Sequence, residues 1–261
     1  ADRFATETER TFAEAGVRGL RVLIDVNQLD PRVHEDCDVI DALGFRYWRL
    51  VVQATKVVYH RYRGEEQKAM EIERAMEIPS IQLGSWSTDL QVLMFSHPAY
   101  ALSHDVLGLE RCITAFERLI DQGFNFQVRL AISRGEWQRE RGNAQAAVET
   151  LEPVHAELRH EDRLMRQWFG SALAEAYLAA GRHADALRVA ERVISIGNEP
   201  EGPIVMPRLR CRRIAAIAIG ELGEPERARD LLTKALAQAE GLDFPPLASA
   251  IHEGLARLAL A

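Results

Sequence analysis

Three groups of residues carry chemistry that a functional site can use. The densest is Val33–Asp38, VHEDCD, which gathers His34, Glu35, Asp36, Cys37 and Asp38. These are metal-ligand types, yet consecutive helical residues point roughly 100° apart. With no second ligand pair nearby in sequence, the stretch reads better as the start of a solvated helix. His97 and His104 stand seven apart around Tyr100 and share a face if one helix carries both past Pro98. A catalytic histidine needs a base or nucleophile within reach, and none is signalled. The third group is Arg208, Arg210, Arg212 and Arg213, positive charge concentrated in a chain of net charge -7. Paired guanidinium groups hold carboxylates and phosphates through bidentate hydrogen bonds. The competing reading is an ordinary set of helix arginines paired with Glu on neighbouring helices.

No other catalytic pattern survives inspection. The chain has no phosphate-cradling G-x4-G-K-[ST], no G-x-S-x-G, no H-E-x-x-H and no kinase H-R-D or D-F-G. We therefore expect no enzyme, no cofactor and no metal. Its 261 residues are 47% hydrophobic and 27% charged, the balance of a chain that buries a core. The acidic net charge argues against general affinity for nucleic acid. Cys37, Cys112 and Cys211 are odd in number, far apart and without a C-x-x-C pair, which fits a reducing cytoplasm. No apolar run approaches membrane-spanning length. The lack of an initiator Met and the abrupt ends suggest a piece of a larger protein.

The elements that position these residues are helices in pairs. In FGSALAEAYLAAGRHADALRVAERVISI, Phe169 to Ile196, Leu173, Ala174 and Tyr177 share one helical face and Ala186, Val189, Ala190 and Val193 another. Gly181 divides them, and a glycine can take the left-handed conformation that ends a helix. Ala174 and Ala186 are small enough for the two backbones to approach closely. The apolar face is too large for one hairpin to cover, so neighbours must stack on it. They recur: Gly223 precedes Ala228 by five residues, as Gly181 precedes Ala186, Gly142 Ala147 and Gly64 Ala69. Seven residues before those glycines stand Ala216, Ala174, Gly135 and Val57. Between Gly64 and Gly142 there is room for one further unit, with LERCITAFERLIDQ as its second helix.

On Leu173, Ala174, Tyr177, Gly181, Ala186 and Ala190, then Ala215, Ala216, Gly223, Ala228 and Ala235, then Gly135, Gly142 and Ala147, the chain resembles a tetratricopeptide repeat array. The spacing exceeds that family's usual ~34 residues. It is similar to the long-unit arrays of bacterial regulatory ATPases, serine/threonine kinases and maltose-activator-like transcription regulators; a HEAT-type array is the alternative. His60, Glu73, Arg134 and Gln138 depart from the family's pattern. The resemblance implies an all-α, right-handed superhelical array of about five antiparallel hairpins with an extra C-terminal helix. Residues 1–126 would form irregular hairpins and 127–261 regular repeats, in one continuous solenoid. It further implies a protein- or peptide-binding scaffold or sensor whose first helix in each hairpin lines a concave groove. Carried onto this chain, the groove positions are Arg129, Ile132, Glu136 and Arg139, then Trp168, Ser171, Glu175 and Leu178, then Arg210, Arg213 and Ile217. The expected partner is an acidic or phosphorylated peptide segment gripped by Arg210 and Arg213, with no nucleic acid or membrane involved.

Residues 4–27 pass from a Glu-rich stretch into VRGLRVLIDV, read as a helix interrupted at Gly16 and Gly19 rather than a strand near Val22 to Val26. Helices are expected over 31–43, 45–62 and 65–76, the last stopped by Pro79, and over 127–141, 144–159, 163–180, 183–196, 207–222, 225–240 and 245–259. The section from Pro79 to Gly108 is irregular; a short helix there, Leu90 to Phe95, would be kinked or broken by Pro98. Aromatic residues crowd the first half, from Phe45, Tyr47 and Trp48 through Tyr59, Tyr62, Trp86, Phe95, Tyr100 and Phe116 to Phe124 and Phe126. Core is their commoner role; a pocket for a small-molecule effector is the alternative. Leu255, Leu258 and Leu260 suggest that the last helix is half a hairpin able to self-associate.

Overall fold

The computed structural model describes residues 6–28, 30, 32–83, 96–159, 161–197 and 205–260, and among them every regular element is a helix. The chain divides into two compact units, Ala1–Ser96 and His97–Ala261.

The first unit contains α1 (Glu7–Asn27), α2 (Val33–Ala42), α3 (Arg46–Tyr62) and α4 (Glu66–Leu83). Helix α1 opens on a capping box, in which the Thr6 hydroxyl accepts from the Glu9 N–H and the Glu9 carboxylate accepts from the Thr6 N–H. Gly16 and Gly19 do not interrupt it. Trp48 of α3 lies against them, and a Cβ on Gly19 would come 2.5 Å from its ring, so these glycines are contacts rather than breaks. Helices α3 and α4 pack through Leu50, Ala54, Val57, Ala69 and Met76. The polar residues at usually apolar positions are answered locally: His60 Nδ1 lies 2.6 Å from Glu65, and Arg61 donates to Glu73 at 2.7 Å. Pro79 does not stop α4, which continues to Leu83. A proline removes one backbone donor and bends a helix, but does not force it to end.

The second unit begins within the helical stretch 96–102 (α5) and continues with α6 (Val106–Asp121), α7 (Gln127–Glu140), α8 (Ala144–Glu157), α9 (Arg163–Ala179) and α10 (His183–Gly197). It closes with α11 (Val205–Glu221), α12 (Pro225–Gly241) and α13 (Pro245–Leu260). Each helix packs on the next, and α7, α9, α11 and α13 also pack on one another in sequence order. The odd-numbered helices thus form one layer and the even-numbered ones flank it. Burial follows: Arg166 to Tyr177 of α9 is buried on all sides, whereas α12 buries only Ala228, Leu232, Ala235 and Ala239. A helix covered all round must bury whatever polar groups its sequence places there.

The turns follow one rule. Gly142, Gly181 and Gly223 have φ of 81°, 72° and 99°, the left-handed region that ends a helix without a Cβ clash. The hairpin between Gly64 and Gly142 has the same turn built on His104, φ 58°, with Leu109 five residues on and His97 seven before, both buried. His97 and His104 therefore do not share a helical face; α5 ends before His104, which is exposed.

Close contacts set the layer spacing. The Leu151 side chain occupies the space that a Cβ on Gly135 would need, 2.6 Å away. Helix α13 buries Leu247 and Ile251 and sets Leu258 against Gly220 of α11. Leu258 is thus taken up within the unit instead of lying on an open half-hairpin face. Of the first-half aromatics, Tyr59, Tyr62, Tyr100 and Phe116 are core; Trp86, Phe95 and the Leu90–Phe95 helix lie outside the described residues.

Ala174 and Ala186 are both fully buried. Ala174→Leu is expected to overpack the α9 hairpin and lower stability by about 1–3 kcal/mol in urea unfolding. Gly135→Ala, which on an open helix would gain about 1 kcal/mol, should instead destabilise because Leu151 cannot move aside. An unchanged or raised midpoint for Gly135→Ala would remove the close α7–α8 contact from the account.

Candidate functional site

The polar residues of the odd layer meet in one ionic chain. On α11, Arg210 and Arg213 are one turn apart and face α9 and α7. The Arg210 guanidinium donates from Nη1 to Glu136 Oε1 at 2.5 Å, from Nη2 to Glu136 Oε2 at 3.1 Å and from Nε to Glu175 Oε2 at 3.1 Å. Arg213 Nη2 donates to both oxygens of Glu175. On α7, Arg139 donates to Glu136 Oε2 at 2.9 Å and pairs with Glu140, whose other oxygen lies 2.7 Å from His104 Nδ1. Glu136 is 1% exposed and Arg210 5%.

Burial alone would push the Glu136 and Glu175 carboxyls up, but the guanidinium groups outweigh it. Arg210 and Arg139 hold Glu136 below the ordinary carboxylate range, and Arg213, Arg210 and Arg139 do the same for Glu175. Conversely, burial disfavours the charge on Arg210, and Glu136 and Glu175 more than restore it. Glu136, Glu175 and Arg210 therefore stay ionised.

Above this network lies a cleft of about 170 Å³. Its lining comes from the odd helices of successive hairpins: Ala101 and Leu102 of α5, Arg139 of α7, Glu175, Leu178 and Ala179 of α9, Arg210, Arg213 and Ile217 of α11, and Ala250, Glu253, Gly254 and Arg257 of α13, with His104 at the α5–α6 turn. Of the residues expected from sequence, Arg139, Glu175, Arg210 and Arg213 line it, as do Leu178 and Ile217, and Glu136 sits beneath. Arg129, Trp168 and Ser171 are buried and do not line it. The Trp168 ring packs 5.9 Å from His97, and the Ser171 hydroxyl donates to the Trp168 carbonyl at 2.8 Å. Sequence reasoning missed the α13 contribution. Glu253 and Arg257 were legible as an i, i+4 pair on a last helix, but not as facing α11.

All three nitrogens of Arg210 already donate to Glu136 and Glu175, so an acidic ligand at Arg210 would compete with two internal carboxylates. The arginine cluster pairs with Glu on neighbouring helices, so Arg210 and Arg213 are part of what holds α7, α9 and α11 together. Arg213 keeps capacity: its Nε has no acceptor among the described residues, and it lines the cleft.

The chain is similar in fold to NprR. The solved structure of NprR in complex with its cognate peptide NprX matches with a TM-score of 0.63 at 15% sequence identity, over 92% of this chain and 72% of that one. Identity this low shows a shared fold alone. No protein-family model matches the chain, and no curated protein matches it.

The other chemistry-bearing stretch is taken up structurally. Asp36 accepts from Arg18 at 2.9 Å, His34 stacks edge-on against Tyr59 at 4.5 Å, and burial pushes the Cys37 thiol up to about 12. Among the described residues no cluster of three His, Cys, Asp or Glu is placed to hold a metal, and no helix is long and apolar enough to cross a membrane.

The depressed carboxyls fix a pH dependence. Their folded pKa lies below the ordinary 4.5, so their stabilisation is complete above about pH 5.5 and is lost as pH falls through 4.5 and below. His155, held down by burial and by Arg166, Arg192 and Arg188, adds a decline of the same sign below its ordinary 6.5. Comparing urea midpoints of wild type and Glu175→Gln cancels that part. The variant should lose about 3–5 kcal/mol at pH 7, because it leaves Arg213 without its carboxylate, and the gap should narrow below pH 4.5. A gap constant from pH 7 to 3 would show that Glu175 is not held ionised by its neighbours.

Proposed function

We propose that this chain is a tetratricopeptide-like binding module of a bacterial cytoplasmic regulatory protein, and that it acts by holding an extended peptide in the cleft over α5, α7, α9, α11 and α13. The observation that carries the reading is the lining. One helix from each successive hairpin contributes, so the cleft is a property of the repeat and continues along it, as a surface for an extended ligand must. NprR, similar in fold, binds a peptide, which supports the same class of ligand here.

Size weighs in the same direction. At about 170 Å³ the cleft is smaller than the ~300–1,000 Å³ typical of pockets that enclose a small molecule. It suits one anchoring side chain or terminus, with the rest of the peptide lying outside. Leu178 and Ile217 offer apolar contact. Arg213 and Arg257 offer donors to an acidic side chain or terminal carboxylate, while Arg210 holds the floor in place. Buried Tyr59, Tyr62, Tyr100 and Phe116 are taken up by core packing, which weakens the alternative of an effector pocket in the first half.

The test is a linear peptide library displayed on phage and selected against the chain. Peptides recovered on wild type should bind Ala179→Trp, in which an exposed lining residue is enlarged, at least tenfold more weakly in calorimetry. Arg213→Gln should weaken acidic peptides and reduce the salt dependence of their binding. Selected peptides that bind Ala179→Trp as tightly as wild type would place recognition outside the cleft.

A further inference from the structure

The far face of α11 lines a second groove. We propose that it docks an acidic amphipathic helix of a partner protein, with the helix's apolar stripe on the groove floor and its carboxylates on Arg212, Arg227 and Lys234.

Helix α11 presents two lined faces. Arg210, Arg213 and Ile217 face the cleft already described, and Arg212, Ala215 and Ile219 face a groove of about 530 Å³ between α10, α11 and α12. At 3.6 residues per turn the two sets point roughly 160° apart. The floor is apolar, made by Ile194 of α10, Ala215 and Ile219 of α11, and Leu231 and Ala235 of α12. Along α12 the lining runs from Arg227 to Gln238, about 16 Å at 1.5 Å per residue, which is the length of three helical turns. The groove is elongated to suit a helix or an extended chain.

The charge around it is one-sided. Arg212, Arg227 and Lys234 stand against the single carboxylate of Glu191, in a chain that is acidic overall. Arg212 carries most of the argument. It is half-buried and donates to Gln238 Oε1, and among the described residues no carboxylate pairs with it. Burial and the neighbouring Arg208 charge both hold its pKa below the ordinary value, the opposite of Arg210 on the other face. Lys234 is exposed and has no hydrogen-bond or ion-pair partner among the described residues, and Arg227 pairs with Glu224 at the exposed surface. On one face of α11 Arg210 meets carboxylates of both α7 and α9 and Arg213 meets that of α9. On the other face no carboxylate among the described residues pairs with Arg212, so charge complementarity asks for acids from a partner. A partner helix with an apolar stripe fills the floor, and its flanking Asp or Glu residues reach both rims.

The experiment selects helical peptides of about four turns from a randomised display library, using the full chain carrying Ala179→Trp so that the inner cleft is filled. We expect enriched sequences with an i, i+3, i+4, i+7 apolar stripe flanked by Asp or Glu. The best of them, as a synthetic labelled peptide, should bind at least tenfold more weakly to Arg212→Glu/Lys234→Glu by fluorescence anisotropy and lose affinity with added salt. It should bind Arg213→Gln as well as the parent, which separates this site from the inner cleft whatever happens there. Circular dichroism of the double variant, whose substitutions are on partly or fully exposed side chains, checks that it folds. Enrichment without acidic residues, or equal binding to the folded double variant, overturns the proposal. Displacement of a bound peptide by dodecanoate alone would overturn it in favour of a small amphipathic acid.

Discussion

Two carboxylates in the middle of a helical layer set the terms for the second unit. Removing an ion from water costs several kcal/mol even after relaxation, and only close, well-oriented partners recover it. Glu136 and Glu175 sit in that position, and Arg210 answers both at once: its fork reaches α7 with two nitrogens and α9 with the third. This constrains register more tightly than apolar packing does. An Ala or Leu face tolerates sliding of a few tenths of an ångström, and a one-turn slip would still bury hydrocarbon. The same slip would carry Arg210 about 5 Å from the positions where it donates to both carboxylates and break those three bonds, while Glu136 would keep Arg139 of its own helix. Repeat arrays are assembled from nearest-neighbour contacts, and here a polar ladder running across three odd helices adds a register check to them.

The ladder also explains why the odd helices look as they do. A helix buried on every side gains nothing from an amphipathic pattern, and α11 reads PRLRCRRIAAIAIGE, with arginines and aliphatics interleaved. The arginines are affordable there because each inner one has a carboxylate waiting on the next helix. The flanking helices meet solvent and revert to a stripe, as in Ala228, Leu232, Ala235 and Ala239 of α12.

The hairpin repeat was legible because its punctuation is chemical. A glycine in the left-handed region and small residues at close contacts leave a trace in composition, and four of the five turns carried it. The fifth did not, because His104 adopts the same conformation with a side chain attached, and no residue type announces that. Its position between Gly64 and Gly142 was recoverable only from spacing. Gly16 and Gly19 misled in the opposite sense: glycine within a helix marks either a break or a contact, and the partner that decides it, Trp48, is some thirty residues away. For the candidate site the limit was pairing. The residues of the floor were found one helix at a time from repeat positions, but whether Arg210 meets a ligand or Glu136, 74 positions earlier, depends on the packing of α7 on α9 and α9 on α11. Glu136 and Glu175 had been read as groove positions in their own right, when their strongest interactions are with the arginines named beside them.

The same side-chain chemistry therefore does two different things on one helix, and the deciding variable is whether a carboxylate lies within reach. An anion arriving at Arg210 must compete with three charge-assisted bonds already made at low dielectric, so it gains only the difference between two similar partners. At Arg213 the competition is milder, since one nitrogen serves Glu175 and Nε has no acceptor among the described residues. At Arg212 no acid among the described residues has to be displaced, and an incoming carboxylate adds a pairing instead of exchanging one for another. The order of anion affinity along α11 should thus run Arg212, Arg213, Arg210, the reverse of their order of burial and of their contribution to stability. Arginines that hold the array together are poor places to look for its acidic partners, and the half-buried one with no carboxylate partner among the described residues is the better place.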